Sequence, residues 1–141
     1  MKKLLLILTL AVIAMTFVSL AACSEAKSDL EDVKWILTSY GPQGDLKTPL
    51  ADTQITVTFK SDTKDVTGSA GCNSYSGTYV IVGDKLTMVE SFGVTEMWCG
   101  EEKDVQEKAY LNILLNAESF TIDGDTLVIN CGSDILNYER G

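Results

Sequence analysis

From Trp35 onward the apolar residues recur mostly at every second position, in short runs broken by turn residues, and only one stretch changes to the helical period. A chain patterned in this way satisfies its backbone by pairing short strands with their neighbours. Residues 54–60 alternate strictly, with Ile55, Val57 and Phe59 on one face and Thr56 and Thr58 on the other, as a half-buried strand requires. Trp35-Ile36-Leu37 opens an earlier strand that ends at Gly41-Pro42-Gln43-Gly44. Residues 66–69, 77–82, 85–89 and 92–95 read as further strands, with Gly83-Asp84 as a tight turn. Residues 119–122, 126–130 and 134–138 form a terminal meander whose first turn is Asp123-Gly124. The helix spans 101–116, where Val105, Ala109 and Ile113 repeat at i, i+4 and i+8. Tyr110 with Leu114 and Leu111 with Leu115 widen that stripe toward the core. Glu101, Glu102 and Asp104 occupy the first turn, where the helix dipole favours anions. About eight strands with hairpin connections and one late helix predict a mainly β chain folded as a small antiparallel barrel.

The first residues divide the chain. Lys2 and Lys3 precede an uncharged apolar run from Leu4 to Leu20, closed by Leu20-Ala21-Ala22-Cys23. That is the n-region, h-region and small-residue ending of a secretory signal, here resembling a lipoprotein signal over residues 1–22. Cys23 is then expected to be acylated and to become the mature N-terminus, with the membrane as a partner through two acyl chains, since one chain binds only marginally. The alternative is a retained transmembrane helix, which Thr9, Thr16 and Ser19 disfavour. Residues 23–32 are polar and read as a flexible tether, and residues 33–141 as one domain. Ser24 after the cysteine resembles the sorting pattern for an outer membrane where the host has two; otherwise the expected location is the cell surface.

The formal charge of −9 grows more negative when Lys2 and Lys3 are removed, which argues against nucleic acid as a partner. The chain contains no histidine, so Ser-His and Cys-His nucleophile pairs and histidine-based metal sites are closed to it. No catalytic set, metal site or cofactor is expected, and the chain is expected to be a monomer. Asp123-Gly124-Asp125 lacks the remaining carboxylates of a calcium loop and reads as a hairpin turn. Glu90 and Glu96 have no partner of contrasting acidity and receive no role. Trp35, Trp98, Tyr75, Tyr79 and Phe92 read as core and rim aromatics, with a ligand-facing set as the alternative.

Gly68-Ser69-Ala70-Gly71-Cys72-Asn73-Ser74-Tyr75-Ser76-Gly77 is the most unusual stretch, its three glycines letting the backbone take positive φ or approach another strand closely, without the lysine a phosphate-binding loop needs. Together with Trp35-Ile36-Leu37, Thr95-Glu96-Met97-Trp98-Cys99 and Asp123-Gly124-Asp125-Thr126-Leu127, it resembles the META domain, or HslJ-like, lipoprotein family over about residues 33–140. The resemblance implies a cracked, lipocalin-like β-barrel, and marks Gly71, Cys72, Asn73, Tyr75, Gly77, Met97 and Cys99 as motif residues. It implies a link to stress responses with no established reaction. With the signal segment and the missing histidine, the expected function is a non-catalytic envelope module for interaction or stress protection, with an envelope protein as a candidate partner; the alternative is a small barrel carrying an apolar ligand or lipid. Within the motifs Cys72 and Cys99 form a natural pair, as a structural disulfide or as buried thiols, whereas Cys131 stands outside them and is expected to stay reduced.

Overall fold

The computed structural model describes residues 29–141. The expected signal segment and Cys23 lie outside the described residues. The strands are β1 (Lys34–Pro42), β2 (Thr56–Phe59), β3 (Asp65–Ser69), β4 (Ser74–Val82), β5 (Lys85–Met88), β6 (Gly93–Val94), β7 (Ser119–Asp123), β8 (Thr126–Cys131) and β9 (Asp134–Arg140), with helix α1 (Glu101–Leu115) between β6 and β7. All strand pairs are antiparallel. The order β3-β2-β1-β9-β8-β7-β5-β4 returns to β3 through the β3–β4 pairing, so eight strands close a barrel, as the alternation predicts. The thinnest part of the wall is the β5–β7 seam, where Lys85 faces Ser119 and two flanking backbone bonds, Leu86 N–H to Glu118 O at 3.1 Å and Phe120 N–H to Asp84 O at 2.9 Å, hold the strands together. β6 lies outside the ring, paired to β4 beyond the end of β5.

Alternation fills the interior. Trp35 of β1, Val57 and Phe59 of β2, Val66 of β3, Tyr79 of β4, Leu86 of β5, Leu127 and Ile129 of β8 and Leu136 and Tyr138 of β9 are all buried, and Tyr110 and Leu114 join them from α1. Each such side chain contributes roughly 1.5–3 kcal/mol of transfer free energy. A register shift between Leu37 and Ser39 in β1 lets Trp35, Leu37 and Tyr40 all face inward, although Tyr40 is out of phase with the other two.

The chain folds earlier than its composition suggests. Residues 29–32 were expected to belong to a flexible tether, but Leu30 is fully buried and Glu31 nearly so. Leu30 O accepts a hydrogen bond from Trp35 Nε1 at 3.1 Å, and the Asp32 carboxylate accepts from Ser61 N–H at 3.1 Å and Ser61 Oγ–H at 2.6 Å. The Glu31 carboxylate accepts from Tyr79 Oη–H and takes the Lys64 ammonium at 2.7 Å. One apolar residue flanked by acids looks like linker until its partners are known; here they close the barrel end formed by the β2–β3 turn.

The helix also docks differently from its apolar periodicity. Val105, expected to face the sheet, is 61% exposed, while Gln106, Glu107, Tyr110 and Leu114 are buried. Loops crossing the end of a barrel carry backbone N–H groups that no strand ladder satisfies. Gln106 Oε1 accepts from Leu50 N–H at 2.7 Å and Glu107 accepts from Asn73 N–H at 2.8 Å. Those bonds set the rotation of the helix and leave Val105 outside.

Candidate functional site

β3 and β4 are joined by residues 70–73, at the end of the barrel opposite the Glu31 closure, and this turn contains the motif residues Gly71, Cys72 and Asn73. Gly68 has no room for a side chain, since a Cβ there would lie 1.9 Å from Thr56 O. Gly71 adopts φ +100°, and a Cβ on it would press to 3.0 Å from Gln106 Nε2, so the turn needs glycine for both conformation and space. Gly77 leaves room for the Phe92 ring, which packs against Tyr75 at 5.3 Å between ring centroids.

Asn73 is the centre of the site. Its Oδ1 accepts from Met97 N–H at 2.7 Å and Thr95 Oγ1–H at 2.9 Å, and its Nδ2 donates to Met97 O at 3.1 Å and Glu107 Oε1 at 3.0 Å. Its backbone N–H donates to Glu107 Oε2, and its carbonyl accepts from Ala70 N–H at 2.8 Å. One 5%-exposed side chain therefore ties the β3–β4 turn, the segment 95–97 and α1 together. Cys72 and Cys99 are joined in a disulfide with Cα atoms 5.9 Å apart, which fastens the same turn to the residue just before the helix. Cys131 is free and buried, and that burial pushes its thiol up to about 12.

Tyr75 continues the site inward. Its hydroxyl donates to Thr56 O at 2.9 Å, so Tyr110 must donate to Tyr75 at 2.8 Å and Tyr138 to Tyr110 at 3.2 Å. Burial raises all three phenols well above their ordinary range, and they stay protonated donors. Among the described residues every buried side-chain nitrogen and oxygen has a hydrogen-bond partner. Burial is not uniform across the motif, however. Met97 is 61% and Trp98 74% exposed, so Trp98 is neither a core nor a shielded rim aromatic, unlike Trp35, Tyr75 and Tyr79. Beside them runs a groove of about 440 Å³ between residues 94–98 and α1, floored by Val94, Met97 and Leu111 and edged by Glu96, Asp104 and Lys108.

The motif residues of the sequence are thus brought together, and the residues that sequence reasoning missed are Gln106 and Glu107. A signal for them existed. Continued toward the N-terminus, the Tyr110–Leu114 stripe falls on positions 106 and 107, and polar residues there point to buried partners awaiting a hydrogen bond. The β7–β8 hairpin read from Asp123-Gly124 is present, with Gly124-Asp125 as its two turn residues and Asp123 still paired in β7, and Glu90 and Glu96 are both exposed.

The fold and motif have counterparts. A protein from Burkholderia xenovorans with an NMR structure is 28% identical, covering 79% of this chain and 83% of its own, with a TM-score of 0.67. A second NMR structure (18% identity, 78% and 90% coverage, TM-score 0.59) and the crystal structure of a DUF4847-family protein from Bacteroides vulgatus (13% identity, 79% and 94% coverage, TM-score 0.56) share the fold. No curated protein matches the chain. The META domain family model matches residues 28–140, running to the last residue of β9. The chain belongs to the META domain family.

Proposed function

We propose that this protein is an exported, membrane-tethered, non-catalytic module that acts through its surface on another envelope protein. The observation that carries the reading is the contrast within the motif: its polar groups are engaged internally around Asn73, while Met97 and Trp98 are held outside on a disulfide-fastened support. Side chains with fully engaged polar atoms have no free donor or acceptor for a substrate, whereas a large exposed aromatic residue on a rigid base is the usual anchor of a protein contact. Membership of the META family supports envelope association. The described chain starts at the end of β3 opposite the Cys72–Cys99 bond, so an anchor ahead of Asp29 leaves the Met97–Trp98 end facing away from the membrane. The ligand-carrier alternative draws less support, because Trp35, Tyr79, Tyr110 and Tyr138 occupy the interior that a ligand needs.

The test is complementation of a deletion strain under envelope stress such as heat or detergent. Wild type restores survival; Cys23→Ser, folded but released, and Trp98→Ala, folded and anchored, do not. Glu90→Gln, at an exposed carboxylate outside the Met97–Trp98 segment, is indistinguishable from wild type. A stoichiometric lipid retained by the purified protein, or a turnover lost with one polar substitution, overturns the reading.

A further inference from the structure

The segment 94–98 is an unpaired strand edge beside an acidic, apolar-floored groove. β6 ends the strand order, so one side of it meets β4 and, among the described residues, no strand lies on the other. Thr95 N–H bonds Ser74 O at 3.1 Å, Met97 N–H bonds Asn73 Oδ1 and Met97 O accepts from Asn73 Nδ2. In an extended chain successive backbone groups point to opposite sides. The N–H and C=O groups of Val94, Glu96 and Trp98 therefore point away from β4.

We propose that this edge accepts an added β-strand: an extended peptide segment in which basic side chains alternate with apolar ones. The proposal deepens the interaction-module reading and rests on it. Backbone pairing to Val94, Glu96 and Trp98 supplies register, as in other strand-addition sites. Side chains two residues apart share a face, so Glu96 and Trp98 meet the basic side chains of the added strand, while Met97 on the other face receives the apolar ones. Charge selects the partner. Asp104 and Lys108 neutralise each other at 2.8 Å, leaving Glu96 as the exposed charge on the edge, on a chain of net charge −9. Two copies of this edge bring Glu96 against Glu96, which disfavours self-pairing, as charges on exposed edges generally do. The Asn73 bonds and the disulfide hold the edge extended before binding, which removes an ordering cost.

The full chain purified in detergent is titrated with a fluorescein-labelled eight-residue peptide alternating Lys and Val. Controls are the Glu–Val peptide and a backbone N-methylated Lys–Val peptide, which cannot pair. The Lys–Val peptide is expected to bind at least about tenfold tighter than either control, a difference of about 1.4 kcal/mol. Amide resonances of Val94, Glu96 and Trp98 are expected to move. Glu96→Lys and Val94→Pro each weaken binding about tenfold or more, and Val82→Thr on the distant β4–β5 hairpin leaves it unchanged. Unchanged resonance dispersion in each variant shows that the fold is intact. Equal binding of either control peptide, shifts confined to other surfaces, or no binding up to about 1 mM overturns the proposal. The strain assay reads the module separately: Trp98-dependent survival with no peptide binding removes the edge and keeps the module, and Trp98-independent survival with peptide binding does the reverse.

Discussion

The two ends of the barrel are each closed around a buried carboxylate, and they satisfy it by different means. At the β2–β3 end Glu31 meets the Lys64 ammonium and the Tyr79 hydroxyl. At the helix end Glu107 meets the amide groups of Asn73, and a disulfide lies alongside. Ionic compensation with a half-exposed lysine is adjustable, since water and salt can replace the cation. A buried network of neutral donors is not, because each lost partner leaves a group that nothing else reaches. The helix end is thus the more rigid platform, and it is the end that displays Met97 and Trp98.

The largest expected effect comes from removing the centre of that network. Asn73→Ala strips acceptors from Met97 N–H and Thr95 and a donor from Glu107, and is expected to cost about 3–5 kcal/mol. Denaturant unfolding measures it, and a loss under about 1 kcal/mol shows that the helix end is no more demanding than the other. Opening the disulfide with Cys72→Ser and Cys99→Ser together, across a sequence separation of 27, is expected to cost about 3–4 kcal/mol. Hydrogen exchange at residues 94–98 should rise in the same variant; unaltered exchange means that Asn73 alone holds the edge.

Helix docking gives a slightly smaller contrast. Leu114→Ala is expected to lose about 3 kcal/mol, whereas Val105→Ala should stay within about 0.5 kcal/mol. The reverse result restores the rotation that periodicity alone predicts. Alkaline pH probes the same end. The Cys131 thiol, ordinarily 9.0, is pushed up to about 12 by burial and then by Asp134 and Glu118. A raised folded value means that the folded state holds the proton more tightly, so this contribution is complete below about pH 9 and is lost as pH rises toward about 12. Cys131→Ser, which does not titrate there, should make the fall of stability shallower by up to about 1.4 kcal/mol per pH unit. Parallel curves for the two proteins show that the thiol is not protected. The smallest change is expected at the opposite end, where Lys64→Met should cost about 0.5–1 kcal/mol and lose its effect in high salt. A salt-independent loss of 3 kcal/mol or more, of the order known for broken buried pairs, makes the two ends alike.

The sequence was most legible where the period was unambiguous. Ile55, Val57 and Phe59 are fully buried as alternation requires, and the strand assignments fall within a few residues of those observed. The motif pair Cys72 and Cys99 is bonded, and Cys131 is free. Legibility failed where a residue's environment was made by chain far away in sequence. Val105 sits correctly in an apolar repeat but is turned outward, because Leu50 N–H and Asn73 N–H attract Gln106 and Glu107. Leu30 and Glu31 look like linker until Trp35, Lys64 and Tyr79 surround them.

By itself, then, the sequence determined the class and the wall of this protein: period-two alternation, turn dipeptides and Gly68 and Gly71 admit little besides short antiparallel strands. These are local properties, set by side-chain direction and backbone sterics within a few residues. Only the tertiary structure decided how the ends are closed, which face the helix buries and that Trp98 is displayed. Those outcomes depend on where unpaired backbone groups of one loop meet the side chains of another, and the meeting exists only once the eight strands have closed.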